Sequence, residues 1–106
     1  MTVYFNGSFM DKADVSISPD DRGFVFGDGV YEVVRAEDGR LFRLADHRRR
    51  LARSLEAIRL HDVDTEALWD DIHDLLSRTG LDEGRAKVYL QITRGAAPRQ
   101  HAFPDP

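Results

Sequence analysis

The sequence predicts an α+β domain in which a mostly antiparallel sheet carries two helices packed on one face. Three observations predict it. The pairs Asn6-Gly7 and Asp38-Gly39 each sit between β-rich runs, and such residues tolerate the positive φ that tight hairpin turns require. Two stretches of helical period follow one another after Leu44. A strictly alternating run, "AKVYLQIT", then closes the regular part of the chain.

Taken in order, residues 2–16 alternate loosely around Asn6-Gly7, which predicts a short hairpin followed by another short strand. Residues 17–29 are rich in Ser, Pro, Asp and Gly and read as an extended loop. "GVYEVVRA" and "RLFRL" flank Asp38-Gly39 and form the second hairpin. Leu51, Leu55 and Ile58 then fall at i, i+4 and i+7, with Asp46 as the candidate cap. A second helix is expected from about Thr65 to Arg78, with Leu68, Ile72, Leu75 and Leu76 on its apolar face. Asp64 or Thr65 would cap its start, and Gly80 suits the left-handed position that ends it. In the last strand Val88, Leu90 and Ile92 share one face, and Tyr89, Gln91 and Thr93 the other.

The composition bounds the class. With 106 residues, 42% hydrophobic and 32% charged, the chain is sized for one domain with one modest core, and the composition argues against disorder. No apolar run approaches the roughly 18 residues of a membrane helix. There is no cysteine, which rules out disulfides and thiolate metal sites. The start "MTVYFNGSF" lacks a basic segment followed by an apolar one, so a cytoplasmic location is expected. A net charge of −4 gives no electrostatic reason to expect nucleic acid. No pair of histidines has helical ligand spacing beside a carboxylate set, so no metal is expected.

Several residues could carry chemistry. In "DHRRRLARSL", with Leu51 at the centre of the buried face, His47 lies about 40° and Arg50 about 100° round the helix on the same side. An arginine there can pack its stem and present a planar fork to a carboxylate or phosphate. Alone it reads equally as a snorkelling surface side chain, and His47 as a hydrogen-bonded core histidine. In "DRGFVFGDGVYEVVR", three glycines (Gly23, Gly27, Gly29) precede a strand that opens with Tyr31. They imply that something approaches this backbone closely, and Tyr31 beside them is a substrate contact or a packing residue. After Thr93 comes "RGAAPRQHAFPDP". Its Arg99 and His101 could hold an organic carboxylate through charge-assisted bonds, or could simply be solvated.

Together these segments resemble one family. "DRGFVFGDGVYEVVR", a short hairpin, "HRRRL" in the pattern His-x-x-Arg-Leu, and "YLQITRGAAPRQHAFP" look like the N-terminal small domain of the fold-type IV pyridoxal-phosphate (PLP) enzymes. Within that family the D-amino-acid transaminases are the most similar branch. The resemblance spans nearly the whole chain in order and spacing. It implies that Arg50 binds the phosphate of pyridoxal 5'-phosphate and that Tyr31 lines the substrate pocket. It further implies a homodimer in which Arg99 and His101 reach into the neighbouring subunit's site and, with that subunit's Tyr31, trap the substrate α-carboxylate. The substrates implied are a D-amino acid and a 2-oxo acid.

One feature departs from the family. The chemistry needs a lysine amine that bonds the cofactor aldehyde and shuttles a proton. The two lysines here, Lys12 and Lys87, match neither its position nor its setting. The family's lysine would lie in a second domain after Pro106. Residues 1–106 are therefore expected to be the N-terminal part of a longer enzyme, with no catalytic lysine of their own and no transaminase activity alone. Two relatives within the family, the branched-chain aminotransferases and the aminodeoxychorismate lyases, compete with this reading, and the Arg-x-His arm counts against both. From a different class comes a stand-alone, non-catalytic binding or dimerisation module, which would require Tyr89 and Gln91 to be covered by a partner.

Overall fold

The computed structural model describes residues 1–97. Arg99 and His101 lie outside these residues. Asn6 and Gly7, both at positive φ, join β1 (Thr2–Phe5) to β2 (Ser8–Asp11) in an antiparallel hairpin. The short strand expected next is instead a 3-10 turn over Lys12–Asp14, capped by the Asp11 carboxylate on Ala13 N–H. A local side-chain acceptor there competes with strand pairing. The stretch expected to be an extended loop also holds a short helix, α1 (Arg22–Phe26). Asp21 caps it by accepting from Gly23 N–H at 2.8 Å, and Gly27 closes it at φ +65°.

Chain direction reverses at Asp38-Gly39 between β3 (Gly29–Glu37) and the two-residue β4 (Arg40–Leu41). Two helices follow, α2 (Leu44–Ala57) and α3 (Thr65–Arg78), and then β5 (Arg85–Thr93). The predicted single sheet is in fact two: the β1-β2 pair and a three-stranded antiparallel sheet of order β4-β3-β5. Asp64 caps α3 on Ala67 N–H as expected, and Gly80 takes positive φ just beyond it. Asp46 is not the cap of α2. The hairpin delivers Arg43 in the left-handed conformation, and the helix begins at Leu44. Asp46 then lies within the first turn, where its charge complements the helix dipole and pairs with Arg43 and Arg49.

β3 alternates buried and exposed residues along its length. Val30, Val34 and Ala36 point inward beside Val88 and Leu90 of β5, and both helices close over them with Leu51, Leu55, Trp69, Ile72 and Leu76. Trp69, absent from the predicted apolar face, is buried at its centre. The β1-β2 hairpin is fastened to α3 from the side. The nearby Asp71 carboxylate, together with burial, pushes the Tyr4 hydroxyl up, and the Arg78 guanidinium lies 4.1 Å over the Phe9 ring. The opposite sheet face carries Tyr31, Val33 and Arg35 across from Gln91, Tyr89 and Lys87, all exposed.

The glycines before β3 now have a physical reason. A Cβ on Gly23 would strike the Thr93 side chain, and one on Gly29 would sit 2.8 Å from the Ile92 carbonyl oxygen. What approaches them is the chain's own β5, through the Thr93 side chain at Gly23 and through main chain at Gly29. Gly29→Ala meets main chain that cannot swing aside, so it should destabilise the fold by about 1–3 kcal/mol. A denaturant midpoint equal to wild type would show that no such close approach exists.

Candidate functional site

The alternation of β3 points Glu32 inward, opposite Leu90, where it is 3% exposed. A carboxylate between two buried valines requires a cation, and α2 provides one. Arg50 Nε donates to Glu32 Oε2 at 2.8 Å and Arg50 Nη2 donates to Oε1 at 2.8 Å, a bidentate fork. His47 Nδ1 lies 2.6 Å from the same Oε1. The polar seam read on α2, His47 and Arg50 at i and i+3, is thus a clamp on one buried carboxylate. The fork from Arg50, opposed by burial and joined by His47, holds the Glu32 carboxyl below the usual carboxylate range. In return Glu32 raises Arg50, which stays cationic.

This pairing leaves a directed remainder. Glu32 occupies the Nε–Nη2 edge of the guanidinium, the Arg50 side chain is 59% exposed, and among the described residues Nη1 donates to no protein acceptor. Arg50 borders two adjoining concavities. One, of about 330 Å³, is lined by Tyr31, Glu32, Val33, Arg50 and Ser54. The other, about 310 Å³, is lined by Arg43, Asp46, His47, Arg49, Arg50 and Arg53. A rigid fork with outward N–H groups on a cationic rim suits an oxyanion such as a phosphate.

Tyr31 stands on the same first concavity. It is 64% exposed and stacks on Tyr89 with ring centroids 6.0 Å apart, while Tyr89 Oη donates to Gln91 Oε1 at 2.6 Å. The structure therefore brings Tyr31 and Arg50 together. The candidates Arg99 and His101 fall outside the described residues. Lys87 lies on the exposed face of β5, and Lys12 in the 3-10 turn. Glu32 is the residue that sequence reading missed. The signal for it lies in the sequence, where period-2 alternation puts Glu32 on the same face as Val30 and Val34.

The family described as Amino-transferase class IV matches residues 29–106. D-alanine aminotransferase of Staphylococcus haemolyticus is 44% identical over 105 residues, covering 98% of this chain and 36% of that protein. The 4-amino-4-deoxychorismate lyase of Pseudomonas aeruginosa superposes with a TM-score of 0.71 at 31% identity, covering 86% of this chain and 32% of that one. A hypothetical aminotransferase from Mycobacterium tuberculosis, in a PLP-bound form, shares the fold at a TM-score of 0.77 and 24% identity, over 87% of this chain and 33% of that one. The chain spans about a third of the length of the relatives it matches. No helix among the described residues is long and apolar enough to cross a membrane. With the family match covering most of its residues, the chain belongs to the class IV aminotransferases.

Proposed function

We propose that this chain is the small N-terminal domain of a PLP-dependent enzyme that moves an amino group between a D-amino acid and a 2-oxo acid. The observation that supports this best is a shared concavity holding Tyr31 and the outward edge of Arg50, in a chain 44% identical to a D-alanine aminotransferase. The lyase alternative draws on a more distant relative, at 31% identity. In this reading Arg50 holds the cofactor phosphate, and Glu32 with His47 fixes the angle of its fork. Bound PLP supplies the aldehyde and the electron sink that amino-group transfer needs. Tyr31 lines the substrate side.

Arg99 and His101 reach across a homodimer interface and bind the substrate carboxylate by charge-assisted hydrogen bonds. The catalytic lysine comes from a second domain after Pro106, so residues 1–106 alone bind weakly and do not turn over. The exposed Tyr31, Val33 and Tyr89 face is consistent with a domain that is covered in the assembled enzyme. A cytoplasmic location belongs to the same reading and is supported by the absence of cysteine.

Arg99→Ala in the two-domain protein tests the arm. It should raise KM for D-alanine by about 10–100-fold, the loss of one charge-assisted contact, with a smaller change in kcat. An unchanged KM would remove Arg99 from the substrate site.

A further inference from the structure

The concavity that holds Tyr31 and Arg50 is also lined by Ser54, to which the reading above gives no role. With Leu51 at the centre of the buried face of α2, His47, Ser54 and Arg50 lie about 40°, 60° and 100° round the helix on the same side. They form one polar seam at i, i+7 and i+3. Glu32 holds two of its members, at 2.6 Å from His47 Nδ1 and at 2.8 Å from Arg50 Nε and Nη2. Ser54 continues the seam one turn beyond Arg50. It is half-buried, whereas Ala52 and Arg53 before it are exposed.

A serine inside a helix ordinarily returns its hydroxyl to the carbonyl one turn back or points it to solvent. Thr79, at the end of α3, does the first: its Oγ1 donates to Leu75 O at 2.9 Å and to Leu76 O at 3.2 Å. Ser54 does not. Among the described residues its Oγ donates neither to the Arg50 carbonyl nor to any other acceptor. Serine is also a poorer helix former than alanine, so propensity gives no reason for a hydroxyl here. What the side chain does border is the concavity beside Arg50.

The neighbouring guanidinium indicates the ligand chemistry. Glu32 occupies the Nε–Nη2 edge of Arg50, so the outward N–H groups can grip two oxygens of an oxyanion at most. A phosphate monoester presents three strong acceptor oxygens, and a further donor on the same wall would satisfy another of them. A serine hydroxyl suits this, because it donates a hydrogen bond from a short stem without adding charge. We propose that Ser54 is a second phosphate-binding residue of this domain, its Oγ–H donating to the same PLP phosphate that the outward edge of Arg50 holds. This rests on the reading of Arg50 as a phosphate ligand.

The test measures affinities for PLP and for pyridoxal by fluorescence titration of the two-domain apoprotein, in wild type, Ser54→Ala, Ser54→Thr and Arg50→Ala. Alanine favours the helix, so Ser54→Ala should unfold at the wild-type denaturant midpoint or above it. A change in its affinity then reports the missing hydroxyl. Ser54→Ala should bind PLP about 5–10-fold more weakly, the loss of one hydrogen bond to a charged group, and pyridoxal as wild type does. Ser54→Thr keeps the hydroxyl and should bind PLP within about threefold of wild type. In the double variant Ser54→Ala/Arg50→Ala the loss should fall short of the product of the two single losses, because both donors grip one group. Wild-type PLP affinity in Ser54→Ala, or equal losses for PLP and pyridoxal, overturns the proposal. Either result beside a phosphate-specific loss in Arg50→Ala strikes Ser54 alone. Arg50→Ala without a phosphate-specific loss overturns the reading of Arg50 and this proposal with it.

Discussion

Glu32→Gln will destabilise the domain by about 2–3 kcal/mol at neutral pH, the worth of charge-assisted bonds lost at a buried site. Glutamine keeps the shape but turns one acceptor into an amide donor, which faces the Arg50 and His47 donors that Glu32 now satisfies. The pH dependence sharpens this. The folded-state carboxyl is held below its ordinary value, chiefly by Arg50. Its contribution is therefore complete above the unfolded value of about 4.3 and is lost as pH falls through the lower folded value. The gap between wild type and Glu32→Gln should be constant from about pH 7 to pH 5 and then close on further acidification. Urea unfolding at several pH values measures it. A gap that does not change with pH would mean that Glu32 is not ionised in the fold.

Arg50→Ala should weaken PLP binding by about 10–100-fold, since a guanidinium contributes charge-assisted bonds to a phosphate. The loss should be specific to phosphate: affinity for pyridoxal, which lacks it, should be nearly unchanged. Arg50→Lys should fall between, because lysine keeps the charge but cannot grip Glu32 and an oxyanion with one planar fork. Fluorescence titration of the folded variants reads all three. Equal losses for PLP and pyridoxal would show that Arg50 acts by holding the fold and not by binding phosphate.

Features set by short-range chemistry were legible in the sequence. Asn6-Gly7 and Asp38-Gly39 announced their hairpins because few residues accept positive φ, and Asp64 announced its helix because a carboxylate beside free N–H groups is a local matter. Alternation along β3 and β5 separated Tyr31 and Tyr89 from the core. What escaped depends on which segments meet. The partnership of Glu32 with Arg50 needs β3 and α2 packed together, residues 18 apart. The purpose of Gly23 and Gly29 needs β5, more than 60 residues later. Asp46 failed as a cap because the preceding hairpin, not the local sequence, decided where α2 began.

The measurement that most directly tests the central claim is pyruvate formation from D-alanine and 2-oxoglutarate. The protein is the full-length product of the coding sequence, purified with PLP, and L-alanine and L-leucine are run in parallel, L-leucine being read by formation of its own 2-oxo acid. The account predicts turnover with D-alanine, none with the L-amino acids, and loss of D-alanine turnover in Arg50→Ala at limiting PLP. Turnover of L-leucine with D-alanine inert would contradict it and assign the chain to the branched-chain side of the family.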